Sequence, residues 1–240
     1  MRRFFLPAST LLWGLQFAFL TPVLALLLVT QYGAAPEEVG WILAGYNASG
    51  FVASLIVPAA ADRKADYLKP QLLCAAFSLA TAAVLTATSS TMAAAAALIV
   101  LGGPGAAGMS LLFAQLKQTA QADVSYVLRI RAVFSFAWVG GPPVATVLMG
   151  ALGNRAVTVA MCVVSILNIA AIIVALLRRR GNRLRAGSPL AEEPGAKPAV
   201  SKPAIVCLAT AFIAAHAANS SAVTSMALFW RPDCIRTPTA

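Results

Sequence analysis

The residues of this chain best suited to chemistry are neutral ones lodged in long apolar runs. Trp13, Gln16 and Leu20 fall at i, i+3 and i+7, so a helix places them on one face. Asn47 precedes Gly50 and Ser54 at the same spacing, and His216, Asn219, Ser220 and Thr224 form a further polar stripe. Amides, hydroxyls and indoles exchange hydrogen bonds without carrying charge. An amide in hydrocarbon must find a partner, so it faces protein or a wet cavity. For Asn47 an interhelical bond and a substrate contact are both open. His216, the only histidine, titrates near neutral pH if hydrated and is a packing residue if satisfied.

The elements that carry these residues follow from composition. Hydrophobic residues make up 60% of the 240 and charged residues 11%, with a mean hydropathy of +0.80. A soluble domain carries about 25% charge, so the solvent for most of this molecule is lipid. Seven apolar runs, at 11–30, 39–61, 71–89, 93–116, 133–152, 157–177 and 204–230, are each long enough to cross a bilayer as a helix. The first is too long for the apolar region of a signal peptide. The fold class expected is therefore all-α membrane, a six-helix bundle over 1–177 with one further transmembrane helix. Residues 178–203 read as a basic, Pro/Gly-rich cytoplasmic linker, 204–230 as the seventh span and 231–240 as a polar tail.

Charge sets the expected orientation. With the N-terminus inside, successive inner segments hold two, three, three and seven lysines and arginines, while the outer loops between the first six spans hold only Arg155. That asymmetry places the N-terminus and the 178–203 linker in the cytoplasm of a multi-pass inner or plasma membrane protein. The net charge of +10 thus reflects membrane insertion rather than a nucleic-acid partner. Cys74, Cys162, Cys207 and Cys234 lack CxxC spacing, so neither a metal site, a cofactor nor a disulfide framework is expected.

Irregular segments mark where a cavity or gate belongs. Pro22, mid-way along the first span, deprives the carbonyl of Ala18 of its helical donor. Residues 102–108, Gly-Gly-Pro-Gly-Ala-Ala-Gly, suit close packing, a flexible cavity wall, or both. Gly140, Gly141, Pro142 and Pro143 predict a kink in the fifth span, and Asp62 with Arg63 opens an inner loop that either clasps a neighbouring helix end or is simply solvated. All eight acidic residues, from Glu37 to Asp233, lie outside the runs, so no membrane carboxylate relay is available. The polar inventory suits an uncharged, hydroxyl-rich or amphipathic small molecule. Enzyme chemistry needs convergent His, Asp, Glu or Ser near one interface, which one histidine and no intramembrane carboxylate fail to supply.

With these residues in view, the chain resembles the major facilitator superfamily, and within it the sugar efflux transporters. Residues 14–22, 39–41, 47–50 and 135–143, and Asn219, Ser220, Met226 and Leu228, are similar to that family's first, second, fifth and seventh helices. The resemblance implies twelve spans in two bundles, alternating access, and a cavity lined by the first, fourth and seventh helices. It makes this chain look like the N-terminal half plus the seventh helix, cut short, so an inactive truncated form and self-association are both expectations. The substrate-binding set expected is Trp13, Gln16, Asn47, Trp138, His216 and Asn219, and the gating set Asp62, Arg63, Gly140, Gly141 and Pro142. Pro58 stands where the family's inner-loop motif has glycine, and Asp66 where it has a basic residue. Trp13, Trp41 and Trp138 favour a multidrug exporter as the alternative substrate class.

Overall fold

The computed structural model describes residues 2–64, 66–119, 124–186 and 210. The chain divides into two compact units, Met1–Arg180 and Gly181–Ala240. The first holds the helices that follow up to Arg180, the last of them continuing to Ala186. The seventh expected span, with His216 and Asn219, lies outside the described residues.

Every described segment of regular structure is helical: α1 (Arg2–Leu20), α2 (Leu24–Thr30), α3 (Pro36–Lys64), α4 (Leu68–Ala87), α5 (Thr91–Ala96), α6 (Gly103–Thr119), α7 (Val124–Leu152) and α8 (Asn154–Ala186). A π-helical turn, Ala97–Gly102, joins α5 to α6 into one span. Five helices are long and apolar enough to cross a membrane, and α1 with α2 makes a sixth span bent by 44°. The bend falls where Pro22 cannot donate. The chain turns there through Thr21 N–H to Phe17 O at 2.9 Å and Val23 N–H to Leu20 O at 3.2 Å. The π turn has the same cause in the fourth span. Pro104 cannot donate to the carbonyl four residues before it, and Gly103 N–H reaches back to Leu98 O instead. The proline pair of the fifth span does not interrupt its helix, for α7 runs unbroken through Pro142 and Pro143. Helix α8 continues to Ala186, so the arginine block at 178–185 forms its last turns. Arginine is a good helix former and its charge complements the negative end of the helix dipole.

Side-chain pairs fix the helix directions. Gly14 faces Ala137 and Gly141 faces Ala18, so α1 and α7 run parallel. Ser9 meets Asn168, Gln16 meets Ser165 and Thr30 meets Asn154, so α1–α2 and α8 run antiparallel. One end of the bundle therefore gathers the N-terminus, the α3–α4 turn and the Arg179 end of α8, where Arg179 bonds Asp66 at 3.3 Å. At the other end Gly153, at a φ of +85°, turns α7 into α8 within one residue, a conformation that costs an L side chain free energy. There Tyr32 donates to Leu85 O at 2.6 Å, and burial pushes its phenol up to about 12 against the opposing pull of Arg155.

The bundle is apolar outside and partly polar inside. Trp41 is 80% and Phe136 74% exposed, whereas Ser9, Gln71 and Asn168 are fully buried. Close packing rests on missing side chains. A Cβ on Gly141 would strike Ala18, one on Gly14 would lie 2.7 Å from the Cβ of Ala137, and one on Gly140 would meet nothing within 4 Å. The two small-residue pairs, four residues apart on each helix, let the α1 and α7 backbones touch. Gly141→Leu is expected to destabilise the bundle by about 1–3 kcal/mol through overpacking. Gly140→Leu is expected to be neutral or mildly stabilising, since it gains helix propensity in open space. Thermal unfolding of both variants in detergent, followed by far-UV circular dichroism, checks the contrast.

Candidate functional site

A cavity opens beside the bend of the first span and the π turn of the fourth. Helix α1 supplies Trp13, Gln16, Phe17 and Leu20, and α3 supplies Tyr46. Ser78 and Thr81 come from α4, Gly102 and Ala106 from the fourth span, and Met161 from α8. The empty space among them, including the part that opens outward, is about 310 Å³. Glycines set its walls. A Cβ on Gly102 would lie 3.1 Å from the Tyr46 ring, and one on Gly105 2.6 Å from Ser78 Oγ. One on Gly108 would collide with the Trp13 indole. The 102–108 segment thus serves close packing and lines the cavity at once.

The polar atoms of this wall are incompletely satisfied. Gln16 Nε2 donates to Ser165 Oγ at 3.0 Å, but Gln16 Oε1 and Trp13 Nε1 are buried with no partner. The Trp13 ring is fully buried and stacks on Phe17, with centroids 6.5 Å apart. Thr81 Oγ1 is spent on the Phe77 carbonyl at 2.9 Å. None of the lining residues carries a charge at neutral pH.

Toward the Arg179 end a second set of polar groups, buried except for the half-buried Gln115, forms a chain with one direction. Gln115 Nε2 donates to Gln71 Oε1 at 2.5 Å, Gln71 Nε2 to Ser9 Oγ at 3.3 Å, and Ser9 Oγ to Asn168 Oδ1 at 3.5 Å. Asn168 Nδ2 ends the chain without an acceptor. These bonds tie α6, α4, α1 and α8 together inside hydrocarbon, where each broken partner costs desolvation in full.

Of the residues singled out from the sequence, Trp13 and Gln16 line the cavity. Asn47 is half-buried and donates to the Leu43 carbonyl of its own helix at 2.9 Å. Its neighbour Tyr46 faces the cavity instead. Trp138 is 36% exposed and sits edge-on to Phe134, which in turn meets Phe113 edge-on. Asp62 accepts a short hydrogen bond from the Tyr67 hydroxyl, and Arg63 is exposed. Gly141 is pressed on Ala18 beside the Pro22 bend, Gly140 stands in open space, and Pro142 is half-buried. Asp66, placed where the resembled family carries a base, bonds Arg179 at 3.3 Å and Lys69 at 3.7 Å. Its acidity gives the start of α4 a tie to the end of α8.

Sequence reasoning passed over Ser9, Gln71, Gln115, Ser165 and Asn168. Gln71 and Gln115 stand at the edges of their apolar runs, where an amide looks interfacial. Asn168, mid-run at 157–177, carried the same signal as Asn47.

Comparison with known proteins gives a consistent result. A family model described as Major Facilitator Superfamily matches residues 8–233. Over 141 residues the chain is 26% identical to Sugar efflux transporter B of Salmonella typhimurium, covering 57% of this chain and 36% of that protein. Over 150 residues it is 29% identical to a Deinococcus radiodurans protein also named as a sugar efflux transporter, covering 60% of this chain and 39% of that one. The matches thus span less than two-fifths of each of these relatives. No solved structure matches.

An amide bonded across helices and one bonded within its own helix differ in what depends on them. Gln71→Leu should cost about 1–3 kcal/mol by interrupting the buried chain between Gln115 and Ser9. Asn47→Leu should cost less than about 1 kcal/mol, because it breaks only a bond within one helix. Unfolding midpoints in detergent rank the two variants.

Proposed function

Because the chain belongs to the Major Facilitator Superfamily, we propose that it forms the first bundle of a secondary active exporter for sugars or related small neutral molecules. The observation that carries this reading is the cavity wall. Trp13, Phe17 and Tyr46 bring aromatic rings, Gln16, Ser78 and Thr81 bring neutral polar groups, and the lining bears no carboxylate, ammonium or guanidinium. Such a wall matches a solute with hydroxyl groups and apolar ring faces, and it desolvates an ion poorly. The names of the two relatives support the same substrate class.

In this reading Trp13 and Gln16 contact substrate from the first bundle, and Asn47 and Trp138 of the same bundle belong to the substrate-binding set. Export proceeds by rocking of one bundle against another around the central site. Gly141 against Ala18, next to Gly140 and Pro142, provides the pivot, and Asp62, Arg63 and the Asp66–Arg179 pair hold the cytoplasmic end in one state. The N-terminus and the linker face the cytoplasm of the inner or plasma membrane, in line with the charge asymmetry. A second copy or another chain supplies the facing bundle wherever these 240 residues act alone. A multidrug substrate is the second reading, favoured by the Phe113–Phe134–Trp138 aromatic ladder that ends at the exposed Trp138.

Two measurements test the proposal. In liposomes holding only these 240 residues, a neutral sugar such as methyl glucoside should bind saturably, with no gradient-driven accumulation. Glucuronate and glucosamine should bind at least about tenfold more weakly. Tighter binding of a lipophilic cation such as ethidium than of any sugar would replace the sugar reading with the multidrug one. In intact cells, Arg155→Cys should react with an impermeant thiol reagent and Ser188→Cys should not. The reverse pattern would invert the topology.

A further inference from the structure

The end of the bundle where α8 meets the α3–α4 turn is unevenly charged. Residues 62–69 and 178–180 hold six lysines and arginines against Asp62 and Asp66. Asp66 bonds Arg179 at 3.3 Å and Lys69 at 3.7 Å, so one carboxylate serves two cations. Arg178 and Arg180 stand about 100° to either side of Arg179 around the helix. Both are exposed and have no acidic partner among the described residues. The Lys69 side chain is itself 79% exposed. The Asp66 tie therefore gathers three exposed cations, Lys69, Arg178 and Arg180, at one corner of the bundle.

Each of the three has a large, exposed apolar residue one turn deeper in the membrane. Leu73 follows Lys69 by four residues on α4. On α8, Val174 precedes Arg178 by four and Leu177 precedes Arg180 by three. Residues so spaced share a helix face, so each cation and its apolar neighbour form a strip from headgroup depth into hydrocarbon. Arg129 and Arg131, two exposed arginines at the same end of α7, lack this arrangement, for the exposed residues one turn deeper there are the small Ala132 and Ser135. A phosphate that carries acyl chains fits the first pattern. Its charge meets the cations while its chains lie on Leu73, Val174 and Leu177. A free phosphate gains nothing from the apolar half of the strip, and a zwitterionic headgroup brings an ammonium that offsets the attraction.

We propose that Lys69, Arg178 and Arg180 form a binding site for an anionic phospholipid in the leaflet at this end of the bundle. The headgroup phosphate sits between the start of α4 and the end of α8, and the bound lipid adds a second tie between those helices beside Asp66 and Arg179. The site does not depend on which solute the cavity takes.

Thermal unfolding of the purified 240-residue chain in dodecyl maltoside tests it. Added dioleoylphosphatidylglycerol should raise the unfolding midpoint saturably. Dioleoylphosphatidylcholine, glycerol phosphate and inorganic phosphate at the same concentration should not. A cation beside an anionic lipid surface is worth about fivefold in affinity. Arg178→Gln with Arg180→Gln should therefore raise the half-saturating lipid concentration at least about tenfold, and adding Lys69→Gln should raise it further. Arg178→Lys with Arg180→Lys keeps the charges and should stay within about threefold of the wild-type chain. Arg129→Gln with Arg131→Gln removes the same number of exposed cations from α7 and should also stay within about threefold. An equal loss from the α7 pair would reduce the effect to diffuse charge and overturn the site. Equal stabilisation by glycerol phosphate or inorganic phosphate would replace the lipid with a soluble anion, and equal stabilisation by the two phospholipids would remove the role of charge. Each of these results leaves the export reading standing.

Discussion

A polar atom surrounded by hydrocarbon has no water to fall back on, and this bundle is arranged around that fact. Its outer surface carries Trp41, Leu55, Ile56 and Phe136, which no aqueous protein exposes together in such density. Its interior holds Ser9, Gln16, Gln71, Ser165 and Asn168. These side chains cannot reach solvent, so they reach one another across helices, and in doing so they set which helices are neighbours and in which direction each runs. The ties of α8 at Asn154, Cys162, Ser165, Asn168 and Arg179 all lie on one stripe of that helix. An apolar interface would tolerate sliding or rotation, whereas a stripe of hydrogen bonds holds one register.

Where hydrogen bonding sets the register, small residues set the distance. Gly14, Ala18, Ala137 and Gly141 bring α1 onto α7, and Ser49, Gly50 and Gly103 bring α3 onto the fourth span. Such approach leaves little room for a ligand along most of the bundle. The cavity appears where two spans depart from regular α-helix, at the Pro22 bend and at the π turn before Pro104. Leu20 stands at the first departure and Gly102 at the second, and both line the space. A proline that merely cost a backbone bond would be a defect. Here two of them displace neighbouring walls and open a cavity among the described helices.

Charge is kept to the ends of the bundle. Asp66 with Arg179 and Lys69, and Asp62 with Tyr67, work at the N-terminal end, and Arg155 stands at the other. Between them the cavity lining holds neutral residues alone. An interior without charges would cost a neutral group little desolvation and an ion a great deal.

The number, order and approximate limits of the first six spans were legible in the chain, because hydropathy and the positions of Lys and Arg are local properties that hydrocarbon sorts directly. The bend at Pro22 was legible for a similar reason, since a missing donor acts on the residue four positions before it. The family, too, could be read from short motifs such as 135–143. Which amides meet was not legible. Asn168 and Asn47 look alike in sequence, yet Asn168 meets Ser9 across helices while Asn47 turns back on its own backbone. That difference depends on the rotation of each helix about its axis, which no local pattern specifies when every face is apolar. The sequence by itself determined a membrane bundle with a neutral interior. Only the packing of Gly141 on Ala18 and of Gly108 under Trp13 decided which residues line the cavity, because rotation and depth are set by contacts between residues 123 and 95 positions apart.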